Sequence, residues 1–319
     1  MKTKYNILRK TATLFACILL LASCLKEDLS NCPAFIRVYF TVPTEGDAIN
    51  PDHVDRMNLY VFDSEGYYVG EFIDSKITGF NADYYIDCSG LLPGKYRFIA
   101  WGGKDERDYI TNPLPFEKGK TTFDDALLIL EHSGSVVSTV PHHIFYAELP
   151  VANVIAGNSI QYFYMPLVQV SNTINIHTVG LPADACDYVF NITDCNSTYR
   201  FDLSFVSNTS DSFTYTAQCT KDEAGQLHAT LTVLRLSADR HTPQLDIFNT
   251  TNGKTLYPTG SQLGDLIGLI LSAYPKNNFE TTHTYDIVLT FKGDPSTGMS
   301  VTISINGWKV KDQNNQLID

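Results

Sequence analysis

Apolar residues along this chain arrive in short bursts that alternate with polar ones, and turn-forming residues separate the bursts. Near the C-terminus Val301, Ile303 and Ile305 alternate with Ser300, Thr302, Ser304 and Asn306, the period of a strand with one buried and one wet face. The same reading predicts strands over 35–42, 57–63, 67–72, 83–88, 96–101 and 145–155. Among these, Ser64-Glu65-Gly66 reads as a hairpin turn, Leu91-Leu92-Pro93-Gly94 as a tight reversal and Gly102-Gly103 as a strand end. Further on, 159–179 is a long β-rich stretch interrupted by Pro166, and strands follow over 188–193, 199–205, 212–218, 227–236, 285–291 and 299–305. Two segments read as short helices. One is 121–132, where Asp124 and Asp125 precede Leu127, Leu128 and Leu130; the other is 263–271, weakened by Gly264 and Gly268. Many short strands with frequent turns predict an all-β protein built of sandwich domains. The boundary is expected near Asn158, between domains at 33–158 and 159–319.

The first residues follow neither pattern. Lys2, Lys4, Arg9 and Lys10 precede an uncharged apolar run over 11–22, the basic and hydrophobic regions of a secretory signal. That run is too short for a transmembrane helix, which needs about 20 apolar residues. It ends in Leu21-Ala22-Ser23-Cys24, which resembles the lipobox of bacterial lipoproteins. The resemblance places cleavage before Cys24 and acyl chains on it, and several chains together give stable membrane anchoring. Residues 1–23 are thus expected to be a signal peptide and 24–32 a lipid-anchored linker. Leu25-Lys26-Glu27-Asp28 resembles the surface-export signal of Bacteroidetes lipoproteins and also fits a solvated tether.

The leader changes the charge picture. The 319 residues carry 23 Lys+Arg against 35 Asp+Glu, a formal charge of −12. Removing 1–23 takes four positive charges and no negative ones, leaving 296 residues at −16. A surface of that sign repels nucleic-acid phosphates. With 44 % hydrophobic and only 18 % charged residues, intrinsic disorder is excluded as well. The 18 Tyr and 18 Phe favour pleated, half-buried surfaces. Of the seven cysteines, Cys17 leaves with the leader and Cys24 is acylated, so Cys32, Cys88, Cys186, Cys195 and Cys219 remain. An odd number leaves at least one thiol outside any intrachain pairing. Cys32 with Cys88 is a candidate disulfide in the first half and a pair among the other three in the second, and spacing alone does not choose.

Candidate chemistry is sparse. His132, His142 and His143 invite a metal reading, but adjacent histidines on a strand point to opposite faces and no HExxH or Cys/His cluster accompanies them. Gly119-Lys120-Thr121 ends like a phosphate loop, yet Leu114 stands where that loop needs glycine. Asp63-Ser64-Glu65-Gly66 starts like a calcium loop and lacks the later ligands, so a hairpin turn is the better reading. No GxSxG or Cys/His nucleophile pair is present. No catalytic, cofactor or metal site is expected. Trp101 and Trp308 fit strand-end core or interface positions, and alternatively sugar-stacking platforms.

An ordered set of segments carries a family resemblance. Asn31-Cys32-Pro33 leads into Phe35-Ile36-Arg37-Val38, then come Leu59-Tyr60-Val61-Phe62-Asp63-Ser64-Glu65-Gly66 and Leu91-Leu92-Pro93-Gly94-Lys95-Tyr96. Phe98-Ile99-Ala100-Trp101-Gly102-Gly103 follows, and Ile303-Ser304-Ile305-Asn306-Gly307-Trp308 stands near the C-terminus. Together they resemble the fimbrillin-associated anchor lipoproteins of Bacteroidales, subunits of type V pili. The resemblance implies two tandem transthyretin-like β-sandwich domains and no catalysis. It implies a structural fimbrial subunit in the outer membrane, at the base of the fimbria, that anchors the filament and influences its length. Its implied partners are the lipid bilayer and the major and minor fimbrial subunits, joined by strand exchange or β-augmentation. Residues 308–319 are polar, so a long hydrophobic donor strand is not evident there. The alternative is a surface glycan-binding β-sandwich lipoprotein, supported by the 12 % aromatic content and the two tryptophans.

Overall fold

The period-two segments fold as strands. In the computed structural model, which describes residues 32–42, 47, 49–104, 108–137, 140–181, 188–206, 212–258, 264–294 and 298–310, they begin with β1 (Phe35–Thr41), β2 (Arg56–Asp63), β3 (Tyr68–Asp74), β4 (Tyr85–Asp87) and β5 (Gly94–Gly103). Next come β6 (Tyr109–Asn112), β7 (Leu127–Leu130), β8 (Val136–Val137), β9 (Ile144–Val154) and β10 (Ile160–Gln169). The second half supplies β11 (Ser171–Val179), β12 (Tyr188–Asp194), β13 (Thr198–Arg200), β14 (Phe213–Gln218), β15 (Thr220–Lys221) and β16 (Leu227–Leu234). It ends with β17 (Gln244–Asn249), β18 (Lys254–Tyr257), the helix α1 (Leu266–Ala273), β19 (Thr284–Asp294), β20 (Gly298–Ile305) and β21 (Trp308–Lys309). The leader, Cys24 and Cys186 lie outside the described residues.

The first sandwich is one hydrogen-bonded order, β3-β2-β5-β9-β10-β1-β4, folded over on itself. β1 runs parallel to β10 from Phe35↔Ile160 to Thr41↔Pro166. At Pro166, which has no N–H to give a ladder, β10 leaves β1 and pairs through 167–169 with β9. Both ends of the sheet then face one core: Ile36, Val38 and Phe40 from β1 meet Leu59 and Val61 from β2 and Phe98 and Phe145 from β5 and β9. The second sandwich packs the order β15-β16-β11-β19-β20-β21 against β18-β17-β12-β14-β8.

Three expectations are corrected. The division near Asn158 falls within the turn between β9 and β10, and the pairing of β10 with β1 and β9 keeps it in the first sandwich. The chain changes sandwich at Val170, and strands cross the other way as well: β7 pairs with β13 and β8 with β14. Segment 121–132 is not a helix. A single 3-10 turn over Phe123–Asp125, capped by Thr122, gives way to β7, whose Leu128 and Leu130 are buried while Leu127 and Ile129 are half-exposed. Four apolar residues in a row fit either period, and the pairing available on both sides from β6 and β13 decides for the strand. Third, of 199–205 only the start is strand, because the chain turns back at Leu203 with φ of 63°.

The expected C-terminal helix does form, shifted to α1. Asp265 caps it by accepting from the Gly268 amide at 2.9 Å. Gly264 is required by close approach, since a Cβ there would stand 2.3 Å from the Leu245 carbonyl oxygen of β17.

The central strands of the first sandwich are buried on both faces. On β2, Leu59 and Val61 point into the first core while Tyr60 and Phe62 point the other way, toward the second sandwich. β5 repeats this, with Phe98 and Ala100 inside and Ile99 and Trp101 outside. The outward aromatics meet Phe201, whose ring centroid is 5.1 Å from Tyr60, 5.9 Å from Trp101 and 5.8 Å from Phe116. Hydrogen bonds lock the same seam: the Tyr199 hydroxyl donates to the Val170 carbonyl at 2.9 Å and the Tyr146 hydroxyl reaches the Phe201 carbonyl at 2.9 Å. Phe201→Ala is expected to cost about 3–5 kcal/mol in chemical denaturation. A loss below about 1 kcal/mol would show that the seam does not depend on it.

Candidate functional site

For a β protein without a catalytic constellation, the informative places are unpaired strand edges and exposed apolar surface. β20 is paired on one side by β19 along its length. On its other side β21 pairs with Ser304 and Ile305, the Val310 N–H donates to the Ile303 carbonyl at 2.9 Å, and among the described residues no strand lies against the edge over 298–302. Val301, Ile303 and Ile305 face inward, so the edge is a regular template rather than a frayed end. Beside it Trp308 is 59 % exposed, edge-on to Tyr274 at 5.9 Å. The seven-stranded sheet has a better-protected edge. β4 pairs with Arg37–Tyr39 of β1, and the loop after it continues the cover, with Cys88 N–H donating to Ile36 and Gly90 N–H to Ala34.

A second surface lies on the outer face of β1, β10 and β4. Tyr39 stands at its centre, 5.2 Å from Tyr85, 5.5 Å from Tyr164 and 6.1 Å from Tyr162 by ring centroid. Phe35 and Ile160, opposite one another in register, extend the patch toward the point where the chain enters β1. Arg37 lies over the Tyr85 ring at 4.6 Å, its charge held against the aromatic face. The alternation of the two strands explains this patch: inward positions are filled by Val38, Phe40 and Met165, and the tyrosines between them have only the outside to face.

The sequence-predicted residues do not converge. Cys24 is outside the described residues. The expected pairing of Cys32 with Cys88 is not found: both are free thiols, Cys32 exposed before β1 and Cys88 turned into the first core, where burial pushes its thiol pKa up. Trp101 is no platform, because its ring is stacked on Tyr199 at 6.1 Å within the seam; Trp308 is exposed. His132 stacks on Phe213 at 5.2 Å, and its Nδ1 lies 2.6 Å from the Gly134 carbonyl oxygen. His142 Nδ1 lies 2.6 Å from the Asp108 carboxylate. His143 turns the other way, with Nδ1 3.0 Å from the Ser171 hydroxyl and Nε2 3.3 Å from that of Thr173. Among the described residues no group of three or more His, Cys, Asp or Glu could hold a metal ion. Asp63, the first position of the calcium-like run, caps its own hairpin by accepting from the amides of Glu65 and Tyr67, each at 2.9 Å.

Sequence reasoning missed the tyrosine face and the edge of β20 that no described strand covers over 298–302. The alternation of Tyr162, Tyr164 and Pro166 with Phe163 and Met165 was a signal for the face, but which side is covered depends on the parallel pairing with β1.

Comparison with known proteins fits this architecture. The profile of the Mfa2 family, described as fimbrillin-A associated anchor proteins Mfa1 and Mfa2, matches residues 29–314. Among solved structures, the fimbrial anchor protein Mfa2 from Porphyromonas gingivalis superposes with a TM-score of 0.68 at 25 % identity, covering 88 % of this chain and 99 % of that one. A candidate polysaccharide-binding protein from Bacteroides thetaiotaomicron gives 0.69 at 21 % identity, over 88 % of this chain and 99 % of that one. A candidate adhesin from the same species gives 0.68 at 20 % identity, over 89 % and 99 %. No curated protein matches the chain in sequence.

The seam carries a titratable group. His143 is stacked on His53 at 4.7 Å, and burial, followed by the nearby His53 and His283, lowers its pKa from 6.5 to about 4. Burial also lowers His53 and His283. Between about pH 6.5 and pH 4 the unfolded chain takes up a proton at His143 and the folded chain does not. Stability from this group is therefore complete above that window, falls as the pH drops through it, and changes no further below it. Melting temperature should fall more steeply from pH 6.5 to 4 in the wild type than in His143→Gln. Parallel curves would refute the assignment.

Proposed function

Because this chain belongs to the Mfa2 family of fimbrillin-A associated anchor proteins, we propose that it is a fimbrial accessory subunit held in the outer membrane by acyl chains on Cys24. In this role it fixes the filament to the cell and influences its length. The observation that carries the reading is the family match over 29–314 in a chain whose preceding residues end in a lipobox. Charge supports it: the basic residues of the leader are discarded, and Cys24 stands only a short linker ahead of Phe35, the start of β1. A chain fixed there is tethered, not spanning, and no described helix is long and apolar enough to cross a bilayer.

Its partners are other fimbrial subunits, and the edge of β20, unpaired over 298–302 among the described residues, supports an acceptor role. An extended segment of a neighbouring subunit would add to the sheet there by main-chain hydrogen bonds, with alternate side chains setting register. Residues 311–319 are mostly polar and read poorly as an apolar donor strand. Nothing in the family or the fold assigns an enzyme activity to the chain, and its work is that of a scaffold.

Replacement of Cys24 by Ala in cells tests the reading. Filaments are expected to be shed into the medium and to change in length, with the variant protein no longer incorporating labelled palmitate. Filaments that stay on the cell at unchanged length would overturn the anchor role.

A further inference from the structure

The first sandwich carries a cluster of exposed apolar side chains at the end where the chain enters it. Register brings them together. Phe35 opens β1 opposite Ile160 of β10, the Ala34 N–H donates to the Leu91 carbonyl at 2.8 Å, and Gly94↔Val154 is the last rung between β5 and β9. Leu92 and Ile155 lie just beyond that rung, and the Gln161 side chain clamps the Ile155 backbone through two bonds of 2.9 Å. Phe35, Leu92, Ile155 and Ile160 are 49, 47, 64 and 40 % exposed. Scattered singly such residues mean little, but gathered at one end of a sandwich they mark an interaction surface.

Charge is withdrawn from the same place. Segments 32–36, 88–95 and 149–164 build this end and contain no Asp or Glu and a single Lys95, in a chain with 35 acidic residues. Acidic side chains stand only at its borders: Asp87 opposite Arg37, and on the β2 side Asp63 opposite Tyr96. Side-chain type also changes in order along the strands. The first outward row is Phe35 with Ile160, the second Arg37 with Tyr162 and the third Tyr39 with Tyr164. Successive rows are about 6–7 Å apart, so aliphatic surface comes first and hydroxyl-bearing rings and charge begin one row further in. A lipid surface presents the matching order, acyl chains and then headgroups, where tyrosines gather and basic side chains reach phosphates.

The path of the chain selects the same occupant. From Cys24 to Phe35 it advances 11 residues (35 − 24), at most about 40 Å when fully extended. Resting on the acylation of Cys24 proposed above, this end is the part of the fold held beside the bilayer. A short tether gives it an effective concentration in the millimolar range, at which a weak contact is populated. We propose that this end of the first sandwich docks on the lipid surface, with Phe35, Leu92, Ile155 and Ile160 entering the acyl boundary and Tyr162 and Tyr164 among the headgroups. The subunit is then seated on the membrane as well as tethered to it.

The test uses the mature protein with its acyl chains in phosphatidylcholine–phosphatidylglycerol vesicles that contain brominated phosphatidylcholine, a quencher of indoles in the acyl layer. In a Trp308→Phe background Trp101, enclosed in the seam, is the remaining native indole. Leu92→Trp and Ile155→Trp should each shift their emission to the blue on vesicles and lose at least half of the added intensity to the brominated lipid. Ile73→Trp, exposed on β3 at the opposite end of the sandwich, should lose none. Adding Ile155→Asp to Leu92→Trp should cut the quenching at least threefold without changing the melting curve. Tip indoles quenched no more than that of Ile73→Trp, in protein that floats with vesicles and shows its acyl mass, would overturn the docking and leave the anchor reading intact. Protein without acyl mass would overturn both. Tip indoles already blue-shifted before lipid is added, in protein that sediments as a dimer, would give the surface to a second copy of the chain and overturn the lipid assignment.

Discussion

Burial of the central strands β2, β5 and β9 on both faces is the condition on which the remaining architecture rests. A sandwich sheet ordinarily hides one face and wets the other. Here one face closes the first core and the other joins the second sandwich, so the two cannot be separated without exposing a row of large rings. On β2 the inward residues Leu59 and Val61 are aliphatic and the outward ones, Tyr60 and Phe62, aromatic, whereas β5 carries a ring on each face, Phe98 inward and Trp101 outward. Aromatic rings bridge the wider, less regular gap to Phe201 and Phe116, and tyrosine hydroxyls find acceptors that a phenylalanine would lack. Much of the tyrosine and phenylalanine excess thus belongs to a junction between sandwiches rather than to either core alone.

That junction also explains where the sequence could and could not be read. Strands with a clear period of two or a continuous apolar run, such as those around Leu59 and Phe98, were legible, as was the hairpin turn after Asp63. The family was legible because short motifs recur in a fixed order. What escaped was pairing at long range. β10 reads like the start of a second domain because Gly157-Asn158-Ser159 marks a turn, and only its parallel ladder to β1 shows that the turn joins neighbours within one sheet. β6, β17 and β18 were missed because short, mixed segments such as Tyr109–Asn112 and Lys254–Tyr257 take their strand form from neighbours already in place. Leu127–Leu130 was misjudged for the same reason. Cys32 and Cys88 lie near one another in the order of elements, but one side chain points into the core and the other away, which no spacing reveals.

The arrangement of β1 has a mechanical consequence. On the proposed anchoring at Cys24, a load from the membrane would reach the described fold at this strand, which lies between parallel β10 and antiparallel β4. Tension drawn along β1 would slide it lengthwise against β10, so the rungs of a ladder running from Phe35 to Thr41 resist together. Tension across the strand would peel them one at a time. If the far end of the load is taken at β20, the force passes on from β10 through Val170 and the ring-packed seam into the second sandwich. Such a path would make the subunit a shear-loaded fastener, in which the parallel first strand and the aromatic junction are joints in series and the weaker of the two sets the breaking force.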